Sequence, residues 1–91
     1  MIEYNKDYSI NGDDGEIIFT KINKNIVAAI YFRGTLTAKW DGETLKGKFY
    51  DAVGDAYGLI EFTFHKNGFE AQWKAGLNDG PMKGKWNGKI C

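Results

Sequence analysis

Ninety-one residues carrying twelve basic and twelve acidic side chains make one domain, residues 1–91, of zero formal charge. That balance gives no electrostatic reason to expect nucleic acid or an anionic membrane as a partner, and no apolar run approaches the ~20 residues needed to cross a bilayer. A chain this short buries only about 60–65% of its unfolded surface, so its core must be dense in large side chains, and six Phe, five Tyr and three Trp supply them. Twelve Gly against a single Pro favour strands joined by tight turns. Cys91 is the only cysteine, so no internal disulfide forms and a reducing compartment is expected. The opening residues lack both a basic start and an apolar stretch, which makes a cytoplasmic location the expectation.

Period-two alternation runs through the chain in order. A first strand is predicted over 4–10 and a second over 16–23, where Ile17 and Phe19 share a face. In a third, over 26–33, Ile26, Ala28, Ile30 and Phe32 alternate with Val27, Ala29, Tyr31 and Arg33, with Phe32 expected inside and Tyr31 outside. A fourth (35–40) turns Leu36, Ala38 and Trp40 one way, and a fifth (44–50) sets Leu45, Gly47 and Phe49 against Lys46, Lys48 and Tyr50. The sixth (59–65) opposes Ile60, Phe62 and Phe64 to Glu61, Thr63 and His65. The seventh (68–74) carries Phe69, Ala71 and Trp73 on one face, and the eighth (81–90) carries Met82, Gly84 and Trp86. Asn23-Lys24-Asn25, Asp41-Gly42 and Asn67-Gly68 mark turns, the last two being dipeptides that suit type I′ hairpins. Eight successive antiparallel strands with one apolar face close most economically into an all-β up-and-down barrel, which removes exposed edges. An OB-like or SH3-like barrel, or a small sandwich, is the alternative.

One pattern occurs twice: AKWDGETLKGKF over 38–49 and AQWKAGLNDGPMKGKW over 71–86. Its inward glycines, Gly47 and Gly84, fit points where a narrow barrel coils sharply or where a Trp needs room. Its Lys-Gly-Lys motifs lie on the fifth and eighth strands, so their lysines form separate solvated strips rather than one basic groove for nucleic acid.

An up-and-down barrel sends alternate loops to opposite ends. The tight turns at 23–25, 41–43 and 66–68 share one end, and the connections at 11–15, 33–34, 51–58 and 75–80 share the other. The second end carries Asp13, Asp14, Asp51, Asp55 and Asp79 against Arg33 alone, so a cationic ligand or a basic patch on a partner protein is expected there. Asn11-Gly12-Asp13-Asp14-Gly15 lacks the ligand spacing of a calcium loop and reads as an ordinary turn. Asp51 and Asp55 fit loop-capping as well as ligand contact. A single His, His65, with no Cys or second His near it, gives no metal site. No Cys–His pair or serine-nucleophile signature is present, and nothing sets two carboxylates apart as acid and base. No enzyme activity and no cofactor are expected.

Residues 45–56, LKGKFYDAVGDA, resemble the third strand and following loop of the avidin and streptavidin family, with its Leu-x-Gly-x-aromatic strand and Ala-Val-Gly loop. GFEAQWK (68–74) resembles a later strand of that family, and Trp86-Asn87-Gly88 its Trp-x-Gly. The resemblance spans residues 45–88 and implies an eight-stranded barrel with a pocket under the 51–58 loop. It also implies that tight biotin binding is gone. Phe49 stands where the family has a Tyr hydroxyl, Asp51 and Asp55 replace the loop Ser and Asn, and each lost hydrogen bond to a buried head group costs about 1–3 kcal/mol.

Two functions follow. One is a non-catalytic interaction module or inhibitor acting through a barrel wall or the open-end loops. The other is a small-molecule barrel with Phe49, Trp73 and Trp86 as the pocket floor and Asp51, Asp55 and Tyr57 as its rim. Nine inward rings (Phe19, Phe32, Trp40, Phe49, Phe62, Phe64, Phe69, Trp73 and Trp86) are enough to fill a narrow eight-stranded barrel, which favours the first. Outward Tyr31, Tyr50 and Leu59 would make a homodimer face if they cluster.

Overall fold

Alternation of apolar and polar residues gives each strand one face to hide, and eight such strands hide it by closing on themselves. The computed structural model, which describes residues 2–12, 14–78 and 80–91, is a closed antiparallel barrel with its strands in sequence order. They are β1 (Asp7–Ile10), β2 (Gly15–Lys21), β3 (Ile26–Tyr31), β4 (Gly34–Trp40), β5 (Thr44–Asp51), β6 (Ala56–His65), β7 (Gly68–Ala75) and β8 (Gly84–Ile90). β1 closes the circle on β8, with Tyr8 opposite Ile90 and Ile10 opposite Gly88. The up-and-down architecture read from the sequence is the one observed. No helix among the described residues is long and apolar enough to cross a membrane.

The interior is filled by rings. Tyr8, Phe19, Phe62 and Phe69 are fully buried and meet edge to face or tilted, with centroids 5.5 Å apart for Tyr8–Phe19, 5.2 Å for Phe19–Phe62 and 5.1 Å for Phe62–Phe69. Such contacts add about 0.5–1.5 kcal/mol each beyond the area they bury. Large inward residues face small ones across the ladder: Phe19 opposite Ala29, Phe62 opposite Ala71, Phe49 opposite Gly58, Trp73 opposite Gly84 and Phe69 opposite Gly88. A Cβ on Gly84 would overlap the Trp73 indole, and one on Gly47 would overlap the β4 backbone at Thr37 and Ala38. The doubled motif thus places its glycines where a ring or a neighbouring strand needs the space.

β3 corrects one expectation. Tyr31 is buried, with Val27 and Ala29, whereas Ile30 and Phe32 lie outside, 69% and 48% exposed. Both parities of this strand are apolar, so alternation alone leaves its phase open. Pairing decides it: the register sets Val27, Ala29 and Tyr31 beside the inward residues Phe19 and Ile17 of β2 and Leu36 and Ala38 of β4. Phe32 also lies beyond the strand, in a two-residue turn with Arg33 between Tyr31 and Gly34.

The predicted strand over 4–10 begins only at Asp7. Before it, the chain folds under the end of the barrel where β1 starts: Asn5 N–H donates to Phe19 O at 2.8 Å, and Ile2 and Tyr4 pack against the core. The turns at Asp41-Gly42 and Asn67-Gly68 form without the type I′ conformation, since Gly42 alone of these four residues has positive φ, 98°. At the first, Asp41 Oδ1 accepts N–H donations from Glu43 and Thr44 at 2.9 and 2.7 Å, and this side-chain cap replaces the second left-handed residue.

Gly84→Ala forces a methyl into the Trp73 ring, and overpacking of this kind costs about 1–3 kcal/mol. Urea denaturation should show that loss, accompanied by a change in tryptophan emission. Phe19→Ala, which empties the centre of the ring cluster, should lose about 3–5 kcal/mol by the same measurement.

Candidate functional site

Ile2 and Tyr4 pack against the core at one end, and the β1–β2, β3–β4, β5–β6 and β7–β8 connections meet at the other. A cavity of about 150 Å³ lies in this mouth. Tyr31, Phe49, Trp73 and Trp86 reach it from four strands, and Phe32, Arg33 and Asp51 stand at its margin. The rings pack in pairs: Phe49 meets Trp73 edge to face at 6.2 Å, and Trp86 meets Tyr31 at 5.5 Å and Phe32 at 6.2 Å. The parity of β5, β7 and β8 directs Phe49, Trp73 and Trp86 inward, and Gly58 and Gly84 opposite them keep the interior wide enough for the rings.

Arg33 and Asp51 form the polar part of the mouth. Arg33 Nε donates to Asp51 Oδ2 at 2.8 Å, while Asp51 Oδ1 accepts N–H donations from Val53 and Gly54 at 2.9 and 3.0 Å. Asp51 therefore holds the β5–β6 turn and the β3–β4 turn together. The Arg33 guanidinium first, and then the Gly54 N–H, keep its carboxyl below the usual carboxylate range. Tyr31 donates its hydroxyl to Tyr50 O at 3.1 Å. Burial pushes the Tyr31 phenol up to about 12, with Asp51 reinforcing the shift and Arg33 opposing it. Trp73 Nε1 is buried and has no hydrogen-bond partner among the described residues.

Of the six residues expected at a site, the structure brings Phe49, Asp51, Trp73 and Trp86 to one cavity. Asp55 and Tyr57 lie apart from it. β6 starts at Ala56, so the connection is four residues long, and Tyr57 falls on the outer face opposite Tyr50. The two tyrosine rings pack there at 4.9 Å, and Tyr50 donates its hydroxyl to Asp55 Oδ1 at 2.9 Å. Tyr31 and Phe32 are the mouth residues that the sequence reading misplaced. Their signal was the Phe32-Arg33 pair preceding Gly34, a two-residue turn that fixes Tyr31 as the last inward position. Within the acidic end, Asp13 and Asp79 lie outside the described residues. Asp14 accepts from Asn11 Nδ2 at 3.1 Å, and Lys74 at the same end is buried with its ammonium donating to Asn78 O and Gly80 O.

A different surface lies on the outside of β2, β3 and β4. Ile18 and Ile30 stand directly opposite each other there, and Thr20, Ala28, Thr35 and Thr37 extend the band without a charge. The far wall is charged: Lys46, Lys48, Glu61, Glu70, Lys85 and Lys89 point outward from β5 to β8, with Lys46 and Glu61 paired at 3.9 Å. The two Lys-Gly-Lys motifs sit on non-adjacent strands of this wall. Comparisons with protein-family models, with curated proteins and with solved structures find no match for this chain.

A phenol whose folded pKa lies above its unfolded value stabilises the fold below the unfolded pKa and loses that contribution as the pH rises through the folded one. Tyr31 is such a group, with a window from 10.0 to about 12. Urea midpoints should hold steady up to about pH 10 and then fall. In Tyr31→Phe the fall should be shallower, with Tyr8, also raised by burial, supplying the remaining slope.

Proposed function

We propose that this chain is a non-catalytic interaction module that binds a protein partner through the β2–β3–β4 wall. The observation that carries this reading is the pair Ile18 and Ile30, 39% and 69% exposed and directly opposite each other, in a band with Thr20, Ala28, Thr35 and Thr37 that is bounded by Glu16 at one end and Lys39 at the other. The core below it is filled by rings, so the wall has no interior volume to offer a ligand. The partner is a protein with an apolar, uncharged face, because this band holds no charge to pair with an ionic one. Burying Ile30 alone contributes about 1.5–3 kcal/mol.

Capture from the native extract on immobilised protein, followed by titration of the purified captured protein, tests this. Ile30→Asp should weaken binding about tenfold or more, while Lys48→Glu on the opposite wall should leave it unchanged. Equal binding by Ile30→Asp, or no specific capture at all, overturns the reading.

A second reading is a small-ligand barrel of avidin-like kind that has lost tight biotin binding. The mouth cavity favours it, because Phe49, Trp73 and Trp86, named by the avidin resemblance, all line that space with Asp51.

A further inference from the structure

We infer that the mouth cavity takes a small planar ring bearing a carboxylate, with the ring among Tyr31, Phe49, Trp73 and Trp86 and the carboxylate on the terminal nitrogens of Arg33. This rests on the second reading above, that the mouth binds a small ligand. Size comes first: about 150 Å³ of space accommodates a benzene-sized ring. The four aromatic walls offer faces and edges on several sides, which suits a ring better than a flexible chain.

The polar groups then set the charge. Both Asp51 oxygens are already accepting, Oδ2 from Arg33 and Oδ1 from two backbone N–H groups. The Tyr31 hydroxyl is spent on Tyr50 O. What remains among the described residues is donors. Among the described residues, Arg33 makes only its Nε hydrogen bond and its terminal nitrogens meet no acceptor, and Trp73 Nε1 is buried without a partner. A guanidinium presents its terminal N–H groups as a planar fork that matches the two oxygens of a carboxylate. A cation entering the same space would meet that guanidinium, while Asp51, the one carboxylate among the described lining residues, is already paired with it. Neutral rings fill the cavity but leave the fork unanswered.

Titration of the full chain with sodium benzoate, benzyl alcohol and benzylamine at fixed ionic strength, followed by amide and indole NMR shifts, tests the inference. Saturable shifts are expected for benzoate at residues 31–33, 49–51 and the Trp73 indole. Benzyl alcohol should bind at the same place about tenfold or more weakly, and benzylamine more weakly still. Arg33→Gln should remove the preference for benzoate over benzyl alcohol, and Lys48→Gln on the charged outer wall should keep it. Should benzoate and benzyl alcohol bind equally, or benzylamine bind best, the carboxylate assignment is overturned while the mouth remains a ligand site. If none of the three shifts the mouth residues, the small-ligand reading fails with it. The comparison of probes on the unmodified protein decides the matter even if Arg33→Gln does not fold.

Discussion

The narrowness of an eight-stranded barrel governs nearly everything else in this molecule. Its interior admits side chains but little beyond them, so many of its large inward residues lie beside a small one. The ladder supplies this with regularity: Phe19 faces Ala29, Ile60 faces Gly47, Phe49 faces Gly58, Phe62 faces Ala71, Trp73 faces Gly84 and Phe69 faces Gly88. Glycine inside a strand is unfavourable by itself, and here it is retained because a Cβ would strike a ring or a neighbouring backbone. Those contacts fix the register of the strands and, through it, the side on which every residue emerges. The mouth cavity follows from the same rule. The rings of Phe49, Trp73 and Trp86 lie beside Gly58, Gly84 and Ala71, and the next positions of the same face toward the mouth, Asp51 on β5 and Ala75 on β7, carry smaller side chains.

That rule also explains how far the sequence could be read. Strands whose two faces differ in character, such as Leu45-Lys46-Gly47-Lys48-Phe49, announce their inward side directly, and the inward placement of Phe49, Trp73 and Trp86 was legible on that basis. β3 is apolar on both faces, so its phase depends on neighbours that a single strand does not reveal. The register with β2 and β4 sets Val27, Ala29 and Tyr31 beside the inward residues of those strands. The β5–β6 connection was misjudged for a related reason. Asp51 caps the turn from within the strand, which lets β6 begin at Ala56, and this extension carries Tyr57 outward and takes Asp55 away from the mouth. The Arg33–Asp51 pair joins two turns that are neighbours only once the barrel exists, so no local motif marks it.

Zero net charge conceals a strong segregation. Most outward lysines and glutamates lie on β5 to β8, while the middle of β2 to β4 presents isoleucine, threonine and alanine, with Glu16 and Lys39 at the two ends of that face. A wall of β-branched residues on a closed barrel has no unpaired edge to offer, so strand addition is unavailable to a partner and contact must be made by side chains alone. Apolar burial is then the force at hand, and the charged wall keeps the molecule dispersed by favouring water on its other side.

Phe32 connects the two candidate surfaces. Its ring lies over Gly15, where any Cβ would overlap it, and packs against both Tyr31 and Trp86 at the mouth. It is also 48% exposed at the end of β3, next along the chain from Tyr31 and on the same outward side as Ile30. A protein covering the β2–β4 wall as far as its open end would press on this ring, and a ring entering the mouth would touch it from within. Coupling between two sites through a shared side chain is reciprocal. Whatever one occupant gains or loses by holding Phe32 in place, the other gains or loses to the same extent. The aromatic turn that closes β3 onto β4 is therefore shared by the mouth, which Phe32 lines, and by the strand that carries Ile30.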